Sequence, residues 1–252
     1  VTGVQTCALP IFAIDKLETE WKQYPVFHID FSTGNYLNDG VLEDVLSDNL
    51  TEWEAQYEVV KTSNDLGLRF QKVLRAAHEK TGLGAVVLID EYDKPMLQAL
   101  DNDALLEDYR KTLKAFYGVL KSADRYLRFA FLTGVTKFSQ VSVFSDLNQL
   151  NDISLDYSYA TVCGITRTEL VETFTPEIEE FGRVNKLSAE ETVDKMARQY
   201  DGYHFHPKGD GVFNPFSVLN AFSKRELGDY WFQTGTPTFL VEMLRKSEYD
   251  LR

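Results

Sequence analysis

The chain is short of sulfur and of basic charge, and it lacks any long apolar run. It holds two cysteines, Cys7 and Cys163, three methionines and seven prolines in 252 residues. Cys7 lies in a segment set aside below. Cys163 then stands alone, no disulfide forms within the segment, and a reducing compartment, the cytoplasm, is the simpler setting. No uninterrupted apolar stretch approaches the roughly 18 residues of a membrane span, so no membrane partner is expected. Lys plus Arg number 26 against 39 Asp plus Glu, a formal charge of −13. Such an acidic surface argues against direct, non-specific nucleic-acid binding by this segment. No internal repeat and no low-complexity tract is evident.

The first eleven residues are set apart from the rest. Val1 to Ile11, VTGVQTCALPI, reads codon for codon as a translated sequencing adapter, and the last adapter base fits the first base of a codon for Phe12. The segment is excluded from fold reasoning as a scar would be. The native chain is expected to start near Phe12 because the read was cut there, with its true N-terminus missing. Residues 12–252 suffice for one large α/β domain or a domain with a smaller module.

What is present is organised around Ala85 to Lys94, AVVLIDEYDK. Five apolar residues follow Gly82 and Gly84, too few for a helix. They read as a strand buried on both faces, as in a parallel sheet. The run stops at Asp90 and Glu91. Open α/β sheets place their chemistry at the C-terminal ends of strands. There one carboxylate can hold Mg²⁺ while its neighbour orients or deprotonates a water. The plain alternative is a strand that ends in solvated acids.

Around this strand, helices and strands alternate. Asp15 to Gln23 reads as the tail of a helix, broken at Tyr24-Pro25. Val26 to Phe31 reads as a strand, with Phe27, Ile29 and Phe31 on one face. His28 is expected to be a packed or hydrogen-bonded core histidine, since no ligand partner sits at metal spacing. Leu42, Val45, Leu46, Leu50, Trp53 and Tyr57 mark a helix over 41–57. A second runs from Leu66 to about Gly82, with Asn64 or Asp65 as N-cap. Lys94-Pro95 turns the chain into a long amphipathic helix, Asp101 to Ser122. Tyr126 to Thr133 is the next strand. The alternation predicts a parallel sheet with right-handed crossovers.

Beyond Gly134 the pattern is mixed. Val135 to Ser145 has strand composition, yet Val141, Phe144, Leu147 and Leu150 also fit a helix. Ala160 to Ile165 reads as a last short strand. A helix starts near Thr166, with Thr168 as N-cap and Pro176 breaking it near Phe174. Ser188 and Glu191 form a capping box for a helix to Tyr200. Short helices are expected over 215–222 and 238–246, with a hairpin near His204 to Phe213. Residues 167–252 thus read as a small helical, winged-helix-like module after a core over 12–166.

These stretches together carry a resemblance. YPVFHIDFS (24–32), VVLIDEYDKP (86–95), YLRFAFLTGVTKFSQVSVFSDLNQLNDIS (126–154), YATVCGIT (159–166), YDGYHF (200–205), FNPFSVLNAF (213–222) and YWFQTGTPTFL (230–240) occur in the order and spacing of one family. The chain resembles the bacterial AAA-ATPase-like family, P-loop ATPases related to the STAND and archaeal-type ATPases. The resemblance implies ATP and Mg²⁺ as cofactors and VVLIDE as the Walker B strand. It implies that Asp90 positions Mg²⁺ through water, that Glu91 polarises the attacking water, and that Thr133 is the sensor contacting the γ-phosphate or lytic water. It also implies that a nuclease-like domain of the PD-(D/E)xK class often follows, here beyond Arg252.

No G-x-x-x-x-G-K-[ST] phosphate loop occurs in the chain. In the family it lies N-terminal to the helix leading into Trp21, so the adapter cut is expected to have removed it with the first strand. That strand would lie between the sensor strand and the last one. Residues 12–252 alone are therefore expected to dissolve poorly and not to bind ATP, since open strand edges invite aggregation. The intact protein reads as an ATPase switch for a partner domain. Two other readings stay open: a nucleotide-binding module without turnover, and an accessory to nucleic-acid cleavage. His204 and His206 could pair on one strand face to bind metal, but neither a Cys nor a nearby carboxylate pair completes a site; the resemblance implies a structural turn instead, with Gly202 permitting positive φ. Lys137 reads as an exposed loop lysine, Arg125 and Arg128 as packing or salt-bridge residues, and Cys163 as a buried thiol. Asp93 is either a cap or a partner of the acidic strand end.

Overall fold

A computed structural model describes residues 19–135, 143 and 150–231. The chain divides into two compact units, Val1–Gln149 and Leu150–Arg252. In the first, β1 (Val26–Asp30) leads through a 3-10 turn to α1 (Val41–Gln56) and α2 (Leu66–Thr81). Next come β2 (Ala85–Asp90), a short α3 (Lys94–Gln98), α4 (Asp103–Ser122) and β3 (Leu127–Leu132). The strands form one parallel sheet in the order β1-β2-β3. This is the α/β architecture with flanking helices that the alternation predicts.

Local chemistry sets the boundaries. The Asp65 side chain accepts from the Leu68 amide at the start of α2, and Gly82 closes that helix at φ +69°, a left-handed position that glycine takes without a Cβ penalty. Asn102 caps α4 through the Leu105 amide. Gly84 lets β2 approach β3 closely: a Cβ there would lie 2.9 Å from the Arg128 amide nitrogen. Residues 19–23, expected as the end of a helix, are not helical, and residues 15–18 lie outside the described residues. Pro25 fixes the chain in extended form into β1 and leaves no helical turn before it.

One face of the sheet is a closed core. Phe27 and Ile29 of β1 and Ala85, Val87 and Ile89 of β2 are buried beneath the helices. Phe27 meets Trp53 edge-on at 5.0 Å, and Phe70 stacks on Phe116 at 4.8 Å and 8°. Such pairs contribute about 0.5–1.5 kcal/mol each beyond area burial. The opposite face differs from the expectation of a strand buried on both sides. Its cross-strand rows are Val26, Val86, Phe129 and His28, Leu88, Phe131. Val26 is 49% exposed, Phe129 53% and Phe131 37%. Val86 and Leu88 are half-buried, and among the described residues the helices of this unit cover the other face. His28 is exposed on this face and is no core residue.

Among the described residues, the second unit is helical with one small hairpin. Its helices are α5 (Arg167–Thr173), α6 (Thr175–Asn185), α7 (Ala189–Tyr200) and α8 (Pro215–Lys224). The strands β4 (Asp201–Tyr203) and β5 (Val212–Phe213) pair antiparallel. Leu170, Phe181, Met196, Phe213 and Val218 lie in its core. The Ser188–Glu191 capping box is formed, with Glu191 held below the usual carboxylate range by the Ser188 amide. α5 is capped by Thr166 rather than Thr168, through its own capping box with Glu169, because that box needs an acid three residues on. Residues 160–164 turn instead of forming a strand, and only Ile165 bridges, to Phe213. Cys163, expected buried, is exposed on that turn. Gly202 does not take positive φ, since β4 runs through it in extended form. The readings over 136–142, with Lys137 among them, and over 238–246 fall outside the described residues.

Candidate functional site

The ends of β2 and β3 are joined beyond their strand pairing. The Thr133 amide donates to the Ile89 carbonyl at 2.8 Å, and the Tyr92 amide to the Thr133 carbonyl at 2.9 Å. This places the Thr133 hydroxyl against Asp90, where it donates to Oδ1. The Glu91 amide donates to the same Oδ1 at 3.0 Å. One oxygen of Asp90 thus takes two donors, while Oδ2 has no hydrogen bond among the described residues. Asp30, the register partner of Asp90 on β1, accepts from the Ser32 amide at 2.7 Å. That bond, more than any other cause, holds the Asp30 carboxyl below its usual range.

Glu91 sits at φ +50°, a left-handed conformation uncommon for a residue with a side chain. The strained turn reverses the chain into α3 directly after β2. The Glu91 Oε2 lies 3.1 Å from Lys94 Nζ, and the same ammonium donates to the Ser32 carbonyl at 2.7 Å. Asp93 is fully buried and makes no side-chain cap to α3. Its Oδ1 instead accepts from the Val135 amide at 3.2 Å, which pins the segment after β3. Gly134 makes this closeness possible: a Cβ there would lie 2.5 Å from the Tyr92 ring and 2.8 Å from Asp93 Oδ1.

The loop after β1 closes the other side. The Tyr36 amide donates to Gln98 Oε1 at 2.7 Å, and the Tyr36 ring packs edge-on against Phe31 and Tyr109. Burial pushes the Tyr36 hydroxyl well above the usual phenol range, with Asp30 and Tyr109 adding to it.

Three residues picked out in the sequence, Asp90, Glu91 and Thr133, therefore meet at adjacent strand ends. Sequence reading passed over Lys94, although a lysine three residues after an acid at a helix start is a readable signal. It left Asp93 between a cap and a partner of the acidic strand end; the side chain makes no cap to α3 and accepts from the Val135 amide instead. Arg125 lies over the Tyr126 ring at 4.6 Å, the packing role expected of it. His206 accepts from the Lys208 amide through Nδ1 in the expected turn, and no group of three or more His, Cys, Asp or Glu suited to a metal occurs among the described residues. No helix among them is long and apolar enough to cross a membrane.

A parallel α/β sheet with paired acids and a hydroxyl at its strand ends defines a class, and comparison narrows it. A model of the AAA-ATPase-like family, described as predicted AAA-ATPase, matches residues 9–144. The chain is 39% identical over 238 residues to an uncharacterized protein of the vnfD 5' region in Azotobacter chroococcum mcd 1, across 93% of this chain and 44% of that protein. The chain belongs to the AAA-ATPase-like family, and it spans less than half the length of this relative. No solved structure matches it.

Proposed function

We propose that the intact protein binds ATP with Mg²⁺ and hydrolyses it at the strand ends of the first unit, as a switch for an attached or partner domain. The observation that carries this reading is the convergence on Asp90 Oδ1 of the Thr133 hydroxyl and the Glu91 amide. This fixes the orientation of Asp90 and leaves its second oxygen as an anionic acceptor, the donor type suited to a water of hydrated Mg²⁺. A bound Mg²⁺ supplies charge neutralisation on the phosphate oxygens. Asp90 would hold it through water. Glu91 would accept a hydrogen bond from the attacking water and orient it. Thr133, held to Asp90, would sense the γ-phosphate or that water from the neighbouring strand. The phosphate-cradling half of the site is not among the residues of this chain, which contains no G-x-x-x-x-G-K-[ST].

The test uses the intact protein. Glu91→Gln keeps the shape of the side chain and removes its basicity. ATP affinity, read by equilibrium titration, is expected to stay within a few-fold. Phosphate release is expected to fall by roughly 10²–10⁴, the usual worth of a positioned acid or base. Unchanged turnover would overturn the role of Glu91, whereas a wild type that binds ATP and releases no phosphate would leave the non-hydrolysing module as the better reading.

A further inference from the structure

We infer that Lys94 is a positioning residue that holds the Glu91 carboxylate in place for its water. The inference rests on the reading of Glu91 given above. The backbone around Glu91 is already fixed by three hydrogen bonds: its amide to Asp90 Oδ1 at 3.0 Å, the Tyr92 amide to the Thr133 carbonyl at 2.9 Å, and the Lys94 amide to the Glu91 carbonyl at 3.0 Å. What remains free is the side chain, with its three rotatable bonds. Lys94 restrains it at one oxygen, Oε2, at 3.1 Å.

The ammonium is itself held. It donates to the Ser32 carbonyl at 2.7 Å, and the Lys94 side chain is 28% exposed against 38% for Glu91. An ordinary surface pair between neighbouring turns has two mobile ends and contributes little. Here the cation is anchored to the loop after β1, and the acid sits on a backbone at φ +50°. This is the pattern of a base oriented by a third group. Engagement of Oε2 leaves Oε1 to accept from water, so Lys94 selects which oxygen works and where it points.

The experiment measures kcat and KM for ATP in the intact protein, together with thermal unfolding, for wild type, Lys94→Met and Lys94→Arg. Lys94→Met is expected to lower kcat roughly 10-fold to 100-fold, the scale of a reacting group displaced by about 1 Å. KM should change less than about twofold, because only the positioning of Glu91 is lost. Lys94→Arg keeps a cation within reach of both the Ser32 carbonyl and Glu91, and should recover most of the kcat. A structural pair would move the unfolding temperature and leave kcat alone. An unchanged or raised kcat in Lys94→Met, with wild type active, would overturn this inference and spare the reading of Glu91. A wild-type protein that binds ATP but does not hydrolyse it overturns both.

Discussion

Behind the sheet, α1 and α2 are braced by one buried ion pair, and its removal gives a measurable loss. Arg69 is 2% exposed and Glu54 6%. Arg69 Nε donates to Glu54 Oε1 at 2.8 Å and Nη2 to Oε2 at 2.8 Å, a two-point contact. Nη1 reaches Ser47 Oγ at 2.8 Å and Nη2 reaches Thr51 Oγ1 at 3.0 Å. Arg69→Met keeps an unbranched apolar stem and leaves a buried carboxylate without its partner. Breaking such a pair from one side costs about 3–5 kcal/mol. The Thr51 side is exposed and water can replace its bond, so the low end applies, about 3 kcal/mol. Arg69→Met with Glu54→Leu removes both charges and should return most of this, since an apolar pair of similar volume is often neutral or better. The assay is hydrogen exchange in the intact protein, read on peptides covering 41–56 and 66–81. A loss of about 3 kcal/mol in local opening raises exchange there roughly a hundredfold. The pH dependence has a defined sign. Hydrogen bonding to Arg69 lowers the Glu54 carboxyl below its unfolded value of 4.5. Its contribution is then complete above that value and fades as pH falls through the lower folded value, so wild type and Arg69→Met converge in acid. A rise in exchange below about fivefold at neutral pH, or a gap that widens in acid, would refute the argument.

Two further predictions concern the strand ends and the second unit. Gly134→Ala places a Cβ 2.5 Å from the Tyr92 ring and 2.8 Å from Asp93 Oδ1, both in a buried setting. It should separate the segment after β3 from Asp93, exposing the Val135 amide to exchange and lowering ATP turnover in the intact protein; normal exchange at 133–135 would count against the close packing. In the second unit, Asn214 accepts from the Ser217 amide at 2.9 Å and starts α8. Asn214→Ala should destabilise that unit by about 1 kcal/mol, seen as earlier loss of protection over 215–224, and no change there would place the helix start under other control.

How much of this was legible in the sequence follows from which contacts are local. The helix starts were written in adjacent residues: Asp65 with Leu68, and Ser188 with Glu191, each complete within four positions. The same holds for Thr166, where the acid at 169 identifies the cap and Thr168 has none. The three strands were legible because apolar runs between helices have few alternatives. Whether a strand is covered on one face or two is not local. Val86 and Leu88 are as apolar as Val87 and Ile89, yet they look toward the face where Val26, Phe129 and Phe131 stand exposed. Composition cannot tell these faces apart, because what covers a face comes from elsewhere in the chain.

The candidate site divides along the same line. Asp90 and Glu91 were readable as acids after an apolar run, and Thr133 as the end of the next strand. The bond between Thr133 and Asp90 spans 43 positions. It exists because parallel pairing sets Ile89 beside Leu132, which puts the next residue of each strand within reach of the other. Nothing in the sequence shows that Glu91 takes φ +50°, since glycine or asparagine would be the usual residue there. That departure from local preference is itself informative. A strained residue persists where its surroundings fix it more strongly than its own preference opposes, and here Asp90, Thr133 and Lys94 do so together. The backbone at Glu91 is thus fixed by Asp90 and by the bond from Tyr92 to Thr133, and among the described residues its carboxylate is restrained by Lys94 alone.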